Sequence, residues 1–463
     1  MSEAGQGGEG EPVVEESSSA AAAGPSPSAE TSSEGTPSGP SASTERRSAG
    51  DRLADLDELE LTIDQLVDGG LGLGRYEGIP VFVARSAPGD RLRVRLVERK
   101  SGYGRAEIVE ILEPGAGRRE APCPYFADCG GCDLQHLEDA LQTRLKAQAL
   151  LETLRRVGRL EEVPKIRVRA AQPWGYRLRT QLHTEVVDGE VQVGYHARGS
   201  NRLVPVSQCP ILVPELEGQL LTLASRLPEK PPRRLDLAAG GDGALAVAPV
   251  IEGMPHGTLE MQVGELTYNY DARCFFQVHR GLVEALVEET LGPAEEDPGG
   301  DLAYDLYSGV GLFSLPLAQR YRRVVAVESD RVAARHARNN ARHNKLPQVE
   351  VVSQVVERWA RELGAQKATG AEETGAEATG AEETGQRPGR VIMDPPRSGL
   401  SLEVRQALLR LRPRHLTYVS CHPAALARDL RALTRHYRLS SLTVLDLFPQ
   451  TGHIEAVAQL HLR

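Results

Sequence analysis

Thr417-Tyr-Val-Ser-Cys-His-Pro-Ala-Ala-Leu-Ala-Arg-Asp429 decides the fold class. Thr417, Tyr418 and Val419 form a short β-branched and aromatic run that reads as a strand. The run ends at Cys421, and Pro423 cannot donate to a continuing ladder. Ala424 to Leu430 then reads as the opening of a helix. A cysteine at such a strand-to-helix turn sits at the carboxyl edge of a sheet, where α/β proteins usually carry their chemistry. The helix amino terminus is expected to lower the thiol pKa and favour a nucleophilic thiolate. The competing reading is a small buried core residue.

Working outward, the chain from about residue 276 alternates strands and helices. Strands are expected at Leu302–Leu306, Val324–Glu328, Val349–Val352, Arg390–Asp394 and Thr417–Ser420. Helices are expected at Phe313–Arg320 and Asp330–Lys345, with Leu439–Phe448 and Ile454–Leu462 as a closing antiparallel pair. This is an α/β, Rossmann-like pattern. Tyr307-Ser-Gly-Val-Gly311 follows the first strand, and its glycines admit a ligand close to the backbone. Glu328 ends the second strand 19 residues after Gly309, where a carboxylate can accept both hydroxyls of a ribose. Ser314 occupies the place of the third glycine of the dinucleotide fingerprint, which favours S-adenosylmethionine over NAD. Asp394-Pro-Pro-Arg397 ends the fourth strand. Methylases of exocyclic amines keep an aromatic residue after such a turn. Arg397 suits a carbonyl or phosphate instead. Glu455 lies just inside an apolar strand (Ile454, Ala456, Val457) and is costly there unless used or paired. Burial would raise its pKa toward that of a general base. An outward-facing strand carboxylate is the plainer alternative.

Upstream, residues 59–118 read as a small β-barrel, with alternating runs at Leu59–Ile63, Ile79–Val83, Arg91–Val97 and Ala106–Leu112 between glycine turns. Arg91, Arg93 and Arg95 share one strand face, which suits a nucleic-acid backbone or a plain solvated surface. Cys123, Cys129 and Cys132 are spaced to wrap one metal centre, and Cys209 would complete four thiolates. Zinc and a 4Fe–4S cluster both accept that set. Cys274 reads as core. Leu134–Leu160 has a helical rhythm, and residues 166–275 read as antiparallel strands.

The chain has 463 residues and a net charge of -10. Residues 1–60 hold 13 acidic and 3 basic side chains, and residues 362–385 hold 6 and 1. The remainder is mildly basic, which permits a polyanionic partner. Residues 1–58 are expected to be a disordered acidic tail and residues 365–387 a disordered low-complexity insertion. Six cysteines in this length do not make a disulfide scaffold. No secretory signal and no run of about 18 apolar residues is present, so a cytoplasmic protein without a membrane span is expected.

These motifs together resemble the RNA (uracil-5-)-methyltransferases. Cys123-x5-Cys-Gly-Gly-Cys132, Phe275-Phe-Gln-Val278, Asp305-Leu-Tyr-x-Gly-x-Gly311, Asp394-Pro-Pro-Arg-x-Gly399, Ser420-Cys-x-Pro-Ala-x-Leu-Ala-Arg-Asp429 and Phe448-Pro-x-Thr-x-His-x-Glu455 occur in the family's order. The barrel resembles the family's TRAM domain. The resemblance implies that Cys421 adds to C6 of a uracil and Glu455 removes the C5 proton. It implies that Gln277, Tyr307, Glu328 and Asp394 line the S-adenosylmethionine site. It also implies that Cys123, Cys129, Cys132 and Cys209 hold a 4Fe–4S cluster in a central domain at 119–275, before a catalytic domain at 276–463. The expected partner is structured RNA, ribosomal rather than transfer RNA, bound by a monomer. His279, Ser308, Leu312, Val355, His422 and Ala425 depart from the family's usual residues. Cytosine-5 methylation of RNA and a non-catalytic RNA-binding or assembly role are the alternatives.

Overall fold

The structure is a computed structural model that describes Leu53, residues 56–369 and residues 387–463. Nearly all of the expected acidic tail and most of the expected insertion lie outside the described residues.

Strands β1 (Glu58–Val67), β2 (Leu71–Tyr76), β3 (Ile79–Ala84), β4 (Arg91–Arg99) and β5 (Gly104–Glu113) close a barrel in the order β1-β2-β3-β5-β4. Leu59, Leu61, Ile63, Leu92, Val94 and Leu96 alternate inward to fill it. Leu53 is fully buried in the same core, and Arg99 donates to its carbonyl at 3.1 Å. Packing thus begins inside the stretch expected to be tail. The arginine face of β4 is not a free polycation. Arg91 meets Glu60 and Glu113, Arg93 meets Glu60 and Glu110, and Arg95 meets Glu58, at 2.6–3.3 Å. The register sets these glutamates on β1 and β5 directly across from the arginines. Opposite charges across a ladder neutralise each other.

Helix α1 (Asp139–Arg156) is shorter than the apolar rhythm suggested. Its Ala149, Leu150 and Leu154 belong to the core of the carboxyl-terminal sheet. After it, Gly158 lies so close to the carbonyl of Ala427 that an added Cβ would sit 3.0 Å away. Strand β6 (Ile166–Arg169) corrects the reading of 166–275 as one antiparallel unit. It pairs in parallel with the far edge of the carboxyl-terminal sheet. Four alternating residues fit any sheet edge, and here Arg167 and Arg169 are fixed by Glu289 at 2.6 and 2.9 Å. The central sheet comprises β7 (Arg179–Val187), β8 (Glu190–His196), β9 (Leu203–Pro205), β10 (Arg234–Ala239) and β11 (Leu245–Ala248), with helix α2 (Pro214–Leu223). A hairpin of β12 (Thr258–Val263) and β13 (Leu266–Asp271) follows.

The last sheet has eight strands. Helix α3 (Val283–Leu291) precedes β14 (Gly300–Leu306), α4 (Ser314–Leu317), β15 (Tyr321–Glu328), α5 (Arg331–His343), β16 (Val349–Ser353), α6 (Val356–Thr369) and β17 (Arg390–Met393). Then come α7 (Leu402–Leu411), β18 (His415–Ser420), α8 (Pro423–Leu433), β19 (Tyr437–Leu445) and β20 (Glu455–Leu462). The order is β16-β15-β14-β17-β18-β20-β19-β6, parallel from β16 to β18, with β20 antiparallel to both its neighbours. Val324 to Val327 are buried throughout, as a strand covered by helices on both faces requires. Helix α4 is one turn, not the eight residues expected. Pro316 has no N–H to give, and the chain must re-enter the sheet at Tyr321. Helix α6 continues to Thr369, into the expected insertion.

The loop between β19 and β20 is held from three sides. Lys146 of α1, itself buried, donates to Asp446 Oδ1 at 2.7 Å and to the Phe448 carbonyl at 2.9 Å. Gln142 and Gln450 exchange bonds at 2.9 Å. Tyr176 donates to the Pro449 carbonyl at 2.9 Å. Gly452 lies against the barrel turn at Gly69–Gly70, too close for any side chain. Removing one partner of a buried ion pair strands the other charge, at a cost of about 3 to 5 kcal/mol. Lys146→Met is therefore expected to lose about 3 kcal/mol in urea unfolding, and Lys146→Met with Asp446→Leu to recover most of it. A double variant no more stable than the single one would contradict this assignment.

Candidate active site

The register places the functional side chains along one edge. Leu306 pairs with Met393 and Val327, Met393 with Tyr418, and Ser420 with Ala456. One step beyond these rungs stand Tyr307, Asp394, Glu328, Cys421 and Glu455. Cys421 follows β18 and Glu455 opens β20, so each stands one residue past the paired Ser420 and Ala456. The edge is the carboxyl end of the parallel strands, where open α/β sheets bind ligands.

Burial dominates the electrostatics. Glu455 is buried, and its carboxyl is held well above the usual range by burial and then by Asp394. Burial pushes Asp394 up to about 7. The expectation of a lowered thiol at Cys421 is overturned. Burial, then Glu455 and Asp394, push it up to about 11, and Arg397 only partly offsets them. A helix end contributes about half a charge. Two nearby carboxylates and a dry site outweigh it. The three acids hold their protons more tightly than isolated groups would.

Asp429 joins the helix that follows Cys421 to the Asp394-Pro-Pro-Arg loop. Its fully buried carboxylate accepts from Leu400 N at 2.8 Å, Arg405 Nη1 at 2.5 Å, Tyr418 Oη at 3.0 Å and Arg428 Nε at 2.9 Å. Gly399, at φ +74°, passes so close that an added Cβ would meet Asp429 Oδ2 at 2.6 Å. His422 caps α8 by accepting from Ala425 N through Nδ1 at 3.2 Å.

The neighbouring turn forms a cradle. Tyr307 (φ +64°), Gly309 (φ +56°) and Gly311 (φ +94°) curl the chain after β14. An added Cβ at Gly309 meets nothing within 4 Å, so the backbone faces open space. Gly309 N donates to Glu328 Oε2 at 2.8 Å, and Asp330 N to Glu328 Oε1 at 2.6 Å. Tyr307 donates to Glu357 at 3.1 Å. Gln277 is buried in a segment anchored beside this turn: Phe276 stacks on Tyr270 at 4.5 Å, and Tyr268 donates to the Leu312 carbonyl at 3.0 Å. Leu312 is packed into the core, while Val355 is exposed. Sequence reasoning passed over Asp305 as a site residue. It is fully buried, Ser314 donates to its Oδ2 at 2.5 Å, and Oδ1 has no partner among the described residues. A carboxylate inside the apolar run Leu302–Leu306 was the signal.

A second cavity, of about 280 Å³, is lined by Cys123, Cys129, Cys132 and Cys209 together with Phe448 and His453. All four cysteines are free thiols. Burial pushes Cys132 up to about 12 and Cys209 to about 11, with neighbouring cysteines adding to the rise. Arg198 ties down the loop through Asp133 at 2.5 Å and the Cys132 carbonyl at 2.6 Å. Arg85 stacks 5.0 Å above Phe126. Buried N–H groups of Arg85 and Arg198 have no partner among the described residues, so cationic donors stand ready beside the thiols.

Residues 254–463 match the family model described as tRNA (Uracil-5-)-methyltransferase, and residues 57–109 match that of the TRAM domain. The chain is 32% identical to an uncharacterized RNA methyltransferase of Aquifex aeolicus, over 88% of this chain and 99% of the relative. It is also 32% identical to the 23S rRNA (uracil(1939)-C(5))-methyltransferase RlmD of Cronobacter sakazakii, over 89% of this chain and 98% of the relative. Among solved structures, the Pyrococcus abyssi tRNA (uracil-54, C5)-methyltransferase in complex with S-adenosyl-L-homocysteine superposes with a TM-score of 0.60 at 23% identity. That match covers 86% of this chain and all of the other.

Removing the Glu455 charge should lower the Cys421 pKa, because that carboxylate is the largest charge raising it. Glu455→Gln is therefore expected to shift the pH midpoint of Cys421 alkylation downward, followed by peptide mapping so that the other cysteines are counted apart. An unchanged or higher midpoint would contradict the shared site.

Proposed function

The chain belongs to the RNA (uracil-5-)-methyltransferase family, and on that premise we propose how its residues do the chemistry. It is an enzyme that methylates C5 of uracil in RNA in a reaction that uses S-adenosylmethionine. No helix among the described residues is long and apolar enough to cross a membrane.

The Gly309 cradle, with Glu328 beside it and Tyr307, Asp394 and Gln277 around it, fits an adenosine-bearing cofactor. Glu328 would accept from the ribose hydroxyls while Gly309 N and Asp330 N hold its carboxylate in place. Bound there, S-adenosylmethionine supplies an electrophilic methyl group. The uracil must leave its stack to reach this edge. Cys421 Sγ adds to C6, which breaks the C5–C6 π bond and makes C5 nucleophilic. After C5 is methylated, Glu455 takes the C5 proton, the C5–C6 double bond re-forms and the C6–S bond breaks. Asp429 keeps Cys421 and the Asp394 loop in register through this sequence. Arg397 lies exposed at the mouth and favours the thiolate.

The single observation that carries this reading is that Cys421 and Glu455 each stand one residue past the paired Ser420 and Ala456, with Glu455 the largest charge acting on the thiol. The four cysteines around one cavity fit a 4Fe–4S cluster, an anionic group for which Arg85 and Arg198 supply unused donors. Ribosomal RNA is the favoured substrate, by likeness to relatives of nearly full length that bear that name. The protein acts in the cytoplasm as a monomer, which fits six unpaired cysteines.

A 5-fluorouridine substrate cannot lose a proton from C5, so the adduct should persist. With S-adenosylmethionine, intact-mass analysis should find a covalent complex on 5-fluorouridine ribosomal RNA fragments but not on 5-fluorouridine transfer RNA. Cys421→Ala should abolish it. A complex on transfer RNA alone would overturn the substrate assignment, and one that survives Cys421→Ala would overturn the nucleophile.

A further inference from the structure

Helix α5 is zipped to strand β13 by a repeated contact. Asn344 Oδ1 accepts from Thr267 N at 2.9 Å, and its Nδ2 donates to the Thr267 carbonyl at 2.7 Å. One helical turn earlier, Asn340 does the same to Asn269, at 2.8 and 3.1 Å. Steps of four along the helix match steps of two along the strand. The next rung pairs His336 with Asp271, and there the pattern of side-chain amides stops. Cys274 joins this rung because a turn closes back on Asp271, with Cys274 N donating to the Asp271 carbonyl at 3.0 Å. One ligand atom from each of Asp271, Cys274 and His336 lies within 4.8 Å of the other two. Cys274 and His336 are buried.

We propose that Asp271, Cys274 and His336 bind a divalent cation of the zinc class at this third rung. One thiolate, one imidazole and one carboxylate are a borderline-soft set that suits zinc and not magnesium or calcium. Three protein donors leave a fourth position for water. Bonds of about 2.0–2.3 Å to one ion bring tetrahedral ligand atoms to roughly 3.3–3.8 Å of one another. The three donors, all within 4.8 Å of one another, therefore need to close by no more than about 1.5 Å.

The surroundings have the character of a ligand shell. Arg273 donates to Asp271 Oδ1 from N at 2.7 Å and from Nε at 3.3 Å, and to Oδ2 from Nη2 at 2.6 Å. Oδ2 thus accepts one bond and keeps a lone pair for a metal. Ligating carboxylates are commonly held by such outer hydrogen bonds. The site is separate from the four-cysteine cavity, which none of these residues lines. It lies between the segment that leads to Gln277 and the helix that follows Glu328. An ion here would fasten those two segments to each other. That consequence rests on the cofactor reading above, whereas the binding itself does not.

Cobalt(II) is the probe, because a cobalt–thiolate bond has a charge-transfer absorption. The full-length protein should bind one equivalent of cobalt at this site with that absorption, beside cobalt taken by the four cavity cysteines. Cys274→Ser should lose one equivalent of cobalt and its share of the absorption, leaving only what the four cavity cysteines contribute. His336→Asn, which extends the asparagine zipper and so should keep the fold, should weaken binding at least tenfold. Cys209→Ser should retain the equivalent that Cys274→Ser loses, which separates this site from the four cysteines of the cavity. Matched thermal melts without metal check that the variants fold. Wild-type protein without the thiolate band, or Cys274→Ser and His336→Asn variants that bind as tightly as wild type, would overturn the proposal. Neither result depends on methyl transfer, so failure here is distinct from failure of the catalytic reading.

Discussion

Desolvation at one sheet edge is the constraint on which the rest of the structure depends. Glu455, Asp394 and Cys421 are three acids gathered where water is largely excluded. Each group raises the cost of ionising the next. Such a cluster persists only if the surrounding chain allows no retreat to solvent. The loop before β20 meets that need. Lys146, Gln142 and Tyr176 hold it from below, and the barrel turn at Gly69–Gly70 closes over Gly452. The barrel, the central domain and the carboxyl-terminal sheet are thus tied together at the segment that leads to Glu455.

The same loop borders the cysteine cavity. Phe448 and His453 line that cavity, and two residues after His453 the chain reaches Glu455. A group held by the four thiolates would therefore buttress the base without touching the substrate. Such a buttress would give a physical reason for a four-cysteine cavity in an enzyme whose bond-making calls for no redox step.

Much of this was legible in the residues. Cys421 declared itself because a strand of β-branched and aromatic residues ended on it and Pro423 opened a helix. Glu455 announced itself as a carboxylate inside an apolar strand, and Asp305 carried the same signal but was passed over. What was not legible depended on partners distant in sequence. The arginines of β4 looked like a nucleic-acid stripe because Glu58, Glu60, Glu110 and Glu113 are brought opposite them only by barrel closure. Strand β6 was too short to show which sheet it would join. The Cys421 thiol was misjudged because the helix beside it is visible in sequence, whereas the two carboxylates facing it belong to other strands. Cys274 read as core on its own, and only the zipper of α5 on β13 shows that it has His336 and Asp271 for company.

The central claim is that one thiol and one carboxylate share a single base. It is tested most directly with Glu455→Gln, ordinary RNA substrate and S-adenosylmethionine. Without a base for the C5 proton, the reaction should stall after methyl transfer. Intact-mass and peptide analysis should then find RNA bonded to Cys421 and already carrying the extra methyl group. Release of free methylated RNA at the wild-type rate, or a bond to any other residue, would contradict the account.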